Sequence, residues 1–240
     1  VVASRLPRGS PIMLLPRTCE QLAWLAGLGV PAAMRAALLP VLGASRDDEL
    51  RYHREMEKAA DMSFGLLPVG LFGGAFLVST FAPIAFPPEY LDSTYGASAI
   101  DLFYVLLFGW VMTLMATPTY TALMAGANSW RFTQFIAIVL VVAVLLGALF
   151  ILALPSNSTQ RLYGAAIASS MTAAFLLLLS WVMSGSFKKV NQRRDDWLMM
   201  LLCTTFAVVG FVTHTLWWVF GLPLFMFVPR GLKAIRSTPS

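Results

Sequence analysis

The sequence predicts an all-α integral membrane protein, a bundle of about six (5–7) transmembrane helices with no soluble domain of any size. Three observations predict it. Of the 240 residues, 58% are hydrophobic, and the mean hydropathy is +0.73. Only 12% are Asp, Glu, Lys or Arg, about half the share an ordinary soluble domain carries. Those charges gather in short runs between apolar stretches about 20 residues long, enough to cross roughly 30 Å of hydrocarbon at 1.5 Å per residue. A soluble fold could not cover its surface with so few charges, so lipid is the solvent that suits this composition.

The chain opens Val1-Val2-Ala3-Ser4-Arg5-Leu6-Pro7-Arg8, without a secretory signal's apolar core and without Met. A non-standard start codon or a piece of a longer chain would account for that. Residues 1–17 read as a cytoplasmic or interfacial segment, 18–229 as the transmembrane bundle and 230–240 as a basic tail. Cytoplasmic connectors are expected at 45–60 and 186–196.

The first apolar segment, about Leu22 to Gly43, carries Gly27, Gly29 and Pro31 and is expected to kink there. The stretch SRDDELRYHREMEK at 45–58 follows and reads as a short solvated helix joining two spans. Ser45 and Asp48 resemble a capping box, and Asp47 with Arg51 makes an i,i+4 pair. Further spans are expected at about Phe64 to Ala85, Ala97 to Thr117 (stopped by Pro118), Phe132 to Leu154 and Leu162 to Met183. The region Trp197 to Val228 is long for one span and short for two. Either one helix crosses and the rest lies in the interface, or two short spans meet near Gly210 or Gly221, which would leave Arg230, Lys233 and Arg236 on the cytoplasmic side.

Loop charge orients the bundle. The loops at 45–58 and 187–194 carry four Lys or Arg each, and those at 86–96 and 155–160 carry none. With alternating spans the basic loops fall on one side, which is then cytoplasmic, next to anionic headgroups. The net charge of +5 and pI near 9.5 therefore point to a lipid bilayer and not to nucleic acid.

Enzyme signatures are missing: the chain has no GxSxG, P-loop, HExxH or paired His/Asp cluster. Cys19 and Cys203 sit far apart in apolar segments, so no metal site, cofactor or disulfide framework is expected. His53 belongs to the charged connector, and His214 reads as an interhelical hydrogen-bonding residue. Asn157-Ser158-Thr159 matches a glycosylation tripeptide that is common by chance and close to the membrane.

Charge at membrane depth is the stronger clue, because it is expensive and usually faces a cavity. Arg35 lies roughly 12 Å inside the first span by helical rise, either snorkelling to headgroups or facing a cavity. Glu20 returns to nearly the same helix face four turns earlier, too far to pair with it. Asp101 begins the third span as an interfacial cap or a transport carboxylate. Arg131, after Trp130, looks like an interface anchor.

The stretch AALLPVLGASRDDELRYHREMEKAADMSFGLLPVGLF has a span ending in Leu-Pro, a charged connector, and a span with an internal Pro. The next span ends at IAFPPEYLDSTYGASAIDLFYVLLF, and ATPTYTALMAGANSWRF and LYGAAIASSMT follow in order. Over most of residues 20–185 this order resembles the C-terminal half of a polysaccharide flippase. That is the Wzx-like branch of the multidrug/oligosaccharidyl-lipid/polysaccharide exporter superfamily. Pro87-Pro88 stands before Glu89-Tyr90 where the family usually has Gly.

The resemblance implies one half of a roughly 12–14-helix exporter in the plasma membrane, with its cavity between two bundles. The partners it implies are a polyprenyl-linked glycan and a second helical bundle or a homodimer. It implies alternating access, with Arg35 attracting the pyrophosphate headgroup and Arg46 and Arg51 guiding it in from the cytoplasmic side. A drug/cation antiporter of the same superfamily would need an intramembrane carboxylate, for which Glu20 and Asp101 come nearest. A non-transporting scaffold subunit is the reading from another class, and an integral-membrane glycosyl- or acyltransferase would need an interfacial catalytic pair.

Overall fold

The computed structural model describes residues 29, 31–91, 98–126, 129–153, 160–185, 194–212, 220, 221 and 223–225. Segment 1–17, Glu20, the kink expected before Pro31, the 155–159 turn, His214 and the basic tail lie outside them.

The elements are α1 (Pro31–Ala44), α2 (Glu49–Pro68), a π-turn (Val69–Gly73), α3 (Gly74–Ala85) and a short α4 (Pro88–Leu91). There follow α5 (Ala99–Ala125), α6 (Ser129–Leu152), α7 (Gln160–Met183) and α8 (Arg194–Val212). Counting α2 and α3 as one rod and setting aside the four-residue α4, six helices among the described residues form an all-α membrane bundle, the fold class the sequence predicts. Four of them are long and apolar enough to cross a membrane: Glu49–Ile84, Ala99–Ala125, Trp130–Leu152 and Arg161–Met183.

The charged connector is corrected. It is not a separate solvated helix but the first turns of a 36-residue rod that continues into the second span. At 1.5 Å per residue that rod is about 54 Å long, so its charged end projects well beyond a 30 Å hydrocarbon layer. The capping box is corrected too. Asp48 is the N-cap, its Oδ1 accepting from the Arg51 N–H at 3.0 Å. Ser45 is buried and turns the other way, donating to the Val41 carbonyl at 2.9 Å to close the last turn of α1. Pro68, which cannot donate to the ladder, is followed at once by the π-turn, a usual way to absorb a break inside a span.

The third span is not stopped by Pro118, because α5 runs on to Ala125. The ring removes one backbone bond. On either side of it the Thr113, Thr117 and Thr121 hydroxyls donate to carbonyls four residues back, at 3.0, 2.9 and 2.6 Å. These hydroxyls saturate backbone acceptors that lipid could not, and burial of Pro118 and its neighbours holds the ring in place.

α5 is the central helix. α7 lies parallel to it, as the pairs Val105–Ser170 and Thr119–Ser180 show, and α6 returns between them in sequence on the outside of α7. α2 and α3 run antiparallel to α5, with Tyr52 reaching Ala122 and Gly74 lying against Leu107. α8 is antiparallel to α7, with Trp197 on Trp181 at one end and Phe211 on Tyr104 at the other. Phe72, 1% exposed, is clamped between Phe206 and Phe225, both at 5.9 Å.

Lipid gives helices no hydrophobic reason to associate, so close packing must hold them together. Gly109 supplies it: a Cβ there would lie 2.9 Å from the Ser170 Cα, so only glycine permits this α5–α7 approach. α6 lacks such a seam toward solvent and displays Leu140, Val141, Val144, Leu145 and Leu149 outward, a face suited to acyl chains.

α8 begins at Arg194, inside the expected 186–196 connector. Its described part runs to Val212, and the 213–219 segment, on which the choice between one span and two falls, lies outside the described residues.

Candidate functional site

On α2 the side chains of His53, Glu57 and Asp61 recur every four residues, so they share one face. Phe64 continues that face one turn deeper. The face overhangs the C-terminal ends of α5 and α7 and encloses with them a cavity of about 620 Å³. Thr119 and Pro118 of α5, Trp181 of α7, Arg131 of α6 and Asp196 of α8 complete it. Three carboxylates, one guanidinium and one imidazole therefore share a single recess. The charged extension of α2 makes this possible, since it carries ionisable groups over an otherwise apolar bundle.

The floor is aromatic and hydroxylic. Trp181, 5% exposed, meets Trp197 edge-on at 4.8 Å, and Trp197 meets Phe64 at 5.9 Å. The indole Nε1 of Trp181 is buried without an acceptor, a state that costs about 1–3 kcal/mol until an acceptor arrives. Beside it the Thr119 and Ser180 hydroxyls lie 2.8 Å apart, bridging α5 and α7. Local pairs tie α2 itself: Lys58 to Glu55 at 2.9 Å, and His53 at the cavity mouth to Glu49 at 3.5 Å.

The predicted residues are placed as follows. Arg35 is exposed, and its Nη1 donates to the Tyr120 hydroxyl at 2.8 Å, linking α1 to α5 outside the cavity lining. Arg46 is exposed in the α1–α2 turn, and Arg51 is exposed on the first turn of α2, at the same end of the bundle as the cavity. Neither lines the cavity. Glu20 lies outside the described residues. Asp101 sits at the other end, in the first turn of α5 after its N-cap Ser98, and close to the Tyr163 hydroxyl of α7. The four described candidates are thus not gathered into one site.

Sequence reasoning missed the His53–Glu57–Asp61 stripe because the segment reads as a solvated connector. Its i,i+4,i+8 spacing was the available signal. Arg131, expected as an interface anchor, lines the cavity. Asp196 had no signal, because its neighbours come from distant helices.

Among the described residues no group of three or more His, Cys, Asp or Glu is placed to hold a metal ion. Cys203 is buried and unpaired in α8. What the cavity can do chemically is accept hydrogen bonds through its carboxylates, donate through Arg131, and cover an apolar face with aromatic rings. Protein-family models, curated proteins and solved structures were all compared with the chain, and none matches it.

Proposed function

We propose that the bundle is a unit of a plasma-membrane transporter that moves a lipid-linked oligosaccharide or polysaccharide precursor by alternating access. The observation that carries this reading is the lining of the 620 Å³ cavity: Trp181 at its floor, with Glu57, Asp61, Asp196 and Arg131 around it. Sugar hydroxyls donate to carboxylates and accept from guanidinium and indole N–H groups. The C–H face of a sugar ring suits an aromatic wall. The order of sequence features that resembles the polysaccharide flippases supports the same reading.

Charge divides the labour. Among the described residues of the lining three carboxylates stand against one guanidinium, a balance ill suited to a pyrophosphate. The headgroup is better served by Arg35, Arg46 and Arg51, which are exposed outside the lining. The glycan would enter the recess while the polyprenyl tail stays in lipid. The connectors flanked by Ala44 and Glu49, and by Met183 and Arg194, share one end of the bundle, which the basic loops assign to the cytoplasm. A second bundle or a second copy of the chain would close the transport path.

The test is reconstitution into liposomes with a fluorescent lipid-linked oligosaccharide. Facilitated movement that falls with Trp181→Ala supports the proposal, and movement at the protein-free rate sinks it. The acidic lining also favours a second reading, transport of an organic cation. Tetraphenylphosphonium binding that is lost in Glu57→Gln and Asp61→Asn, with no glycan movement, would select that reading.

A further inference from the structure

A second recess lies at the opposite end of the bundle from the polar one. It is a groove of about 590 Å³ between α5, α7 and α8, within the roughly 300–1,000 Å³ range of sites that bury most of a ligand. Its walls are apolar, formed by Val105, Phe108, Ile167, Met171, Val208 and Phe211. Polar groups collect at one end. Asp101 is there with Tyr163 beside it, and Tyr104 stacks on Phe211 at 4.1 Å. No Lys or Arg is among the described residues of the lining.

An acidic residue in the first turn of a helix needs no ligand to explain it, because it complements the helix dipole. The groove is a separate observation. It follows α5 from Asp101 to Phe108, roughly 10 Å by helical rise, and two of the helices that wall it, α5 and α7, are long and apolar enough to lie in lipid. A soluble ligand would have to leave water for that depth, whereas an acyl chain is already there. At the polar end the ionised carboxylate only accepts hydrogen bonds, and its two oxygens have capacity for several. A primary ammonium donates to it. A quaternary ammonium cannot donate, and an anionic headgroup is repelled.

We propose that this groove binds a membrane lipid with a primary ammonium headgroup, phosphatidylethanolamine, with one acyl chain along Phe108 and Ile167 and the ammonium on Asp101. The proposal rests on the membrane bundle alone and is independent of what the polar cavity carries.

The experiment is native mass spectrometry of the full chain in detergent, offered an equimolar mixture of phosphatidylethanolamine, phosphatidylcholine and phosphatidylglycerol. The expected result is retention of the ethanolamine lipid about five-fold over each of the others. In Asp101→Asn the preference disappears while total lipid retained stays the same, and in Val208→Trp retention of all three falls. Equal retention of the three lipids by the unaltered chain overturns the proposal, as does a preference that survives in Asp101→Asn. The competition on the unaltered chain decides the matter even where a variant fails to fold.

Discussion

The Thr119 hydroxyl lies 2.8 Å from the Ser180 hydroxyl, so that one of the two donates across the helix pair while the other donates into its own helix, Thr119 to the Ala116 carbonyl or Ser180 to that of Leu177. This pair ties α5 to α7 directly after Pro118, where the α5 backbone has lost a bond. Both residues are at most 4% exposed, so no water competes for the contact. Interhelical hydrogen bonds in membrane bundles couple by about 0.6 kcal/mol on average and about 1.7 at most. A double-mutant cycle of Thr119→Val and Ser180→Ala, read by reversible unfolding in mixed micelles, should return a coupling in that range. Strict additivity would show that the two hydroxyls do not act on one another.

Gly109 should be intolerant of any side chain. A Cβ at that position meets the Ser170 backbone as well as its hydroxyl, and backbone cannot swing away. Gly109→Ala is expected to destabilise the bundle by about 1–3 kcal/mol, the range for overpacking. Ser170→Gly should restore only part of that loss, because the Cα at 2.9 Å remains. Full rescue by Ser170→Gly would place the conflict at the hydroxyl and not at the helix crossing.

The helical membrane fold was legible because composition and span length speak directly to it. Span ends were less so. Pro118 stops a helix by propensity, yet burial of Leu114, Thr117 and Thr121 around it outweighs one missing backbone bond. The charged stretch at 45–58 read as a connector because its polarity says nothing about whether the helix continues through Ala59 and Ala60 into the apolar half. The polar cavity was hidden for a different reason. His53, Glu57 and Asp61 share a face that sequence spacing shows, but Arg131, Trp181 and Asp196 reach it from three other helices. Only tertiary packing brings those together.

The N-cap of α2 gives a local prediction. Asp48 accepts from the Arg51 N–H at 3.0 Å, and Glu49 adds an acidic group to the first turn. Asp48→Ala should cost about 1 kcal/mol. Hydrogen exchange should locate that loss in the first turn of α2, around Glu49 to Tyr52. Ser45→Ala should act on the end of α1 instead, since its hydroxyl serves the Val41 carbonyl. Protection lost at the same amides in both variants would contradict this division between the two helix ends.

Arg35 offers the sharpest separation of structure from transport. Its guanidinium donates to the Tyr120 hydroxyl at 2.8 Å, but the pair is exposed, and exposed charged contacts contribute only about 0–1 kcal/mol. Neither Arg35→Gln nor Tyr120→Phe should therefore unfold the bundle, and their melting profiles in detergent should match that of the unaltered chain. Their effects on movement of a lipid-linked oligosaccharide should differ. Tyr120→Phe keeps the cation and should retain activity, while Arg35→Gln removes the charge that attracts the pyrophosphate and should lose most of it. Arg35→Lys, which keeps the charge without the planar fork, should recover part. If Arg35→Ala moves the lipid at the unaltered rate, the residue is an interhelical tie and the headgroup is attracted elsewhere, with Arg46 and Arg51 the next cations at that end of the bundle.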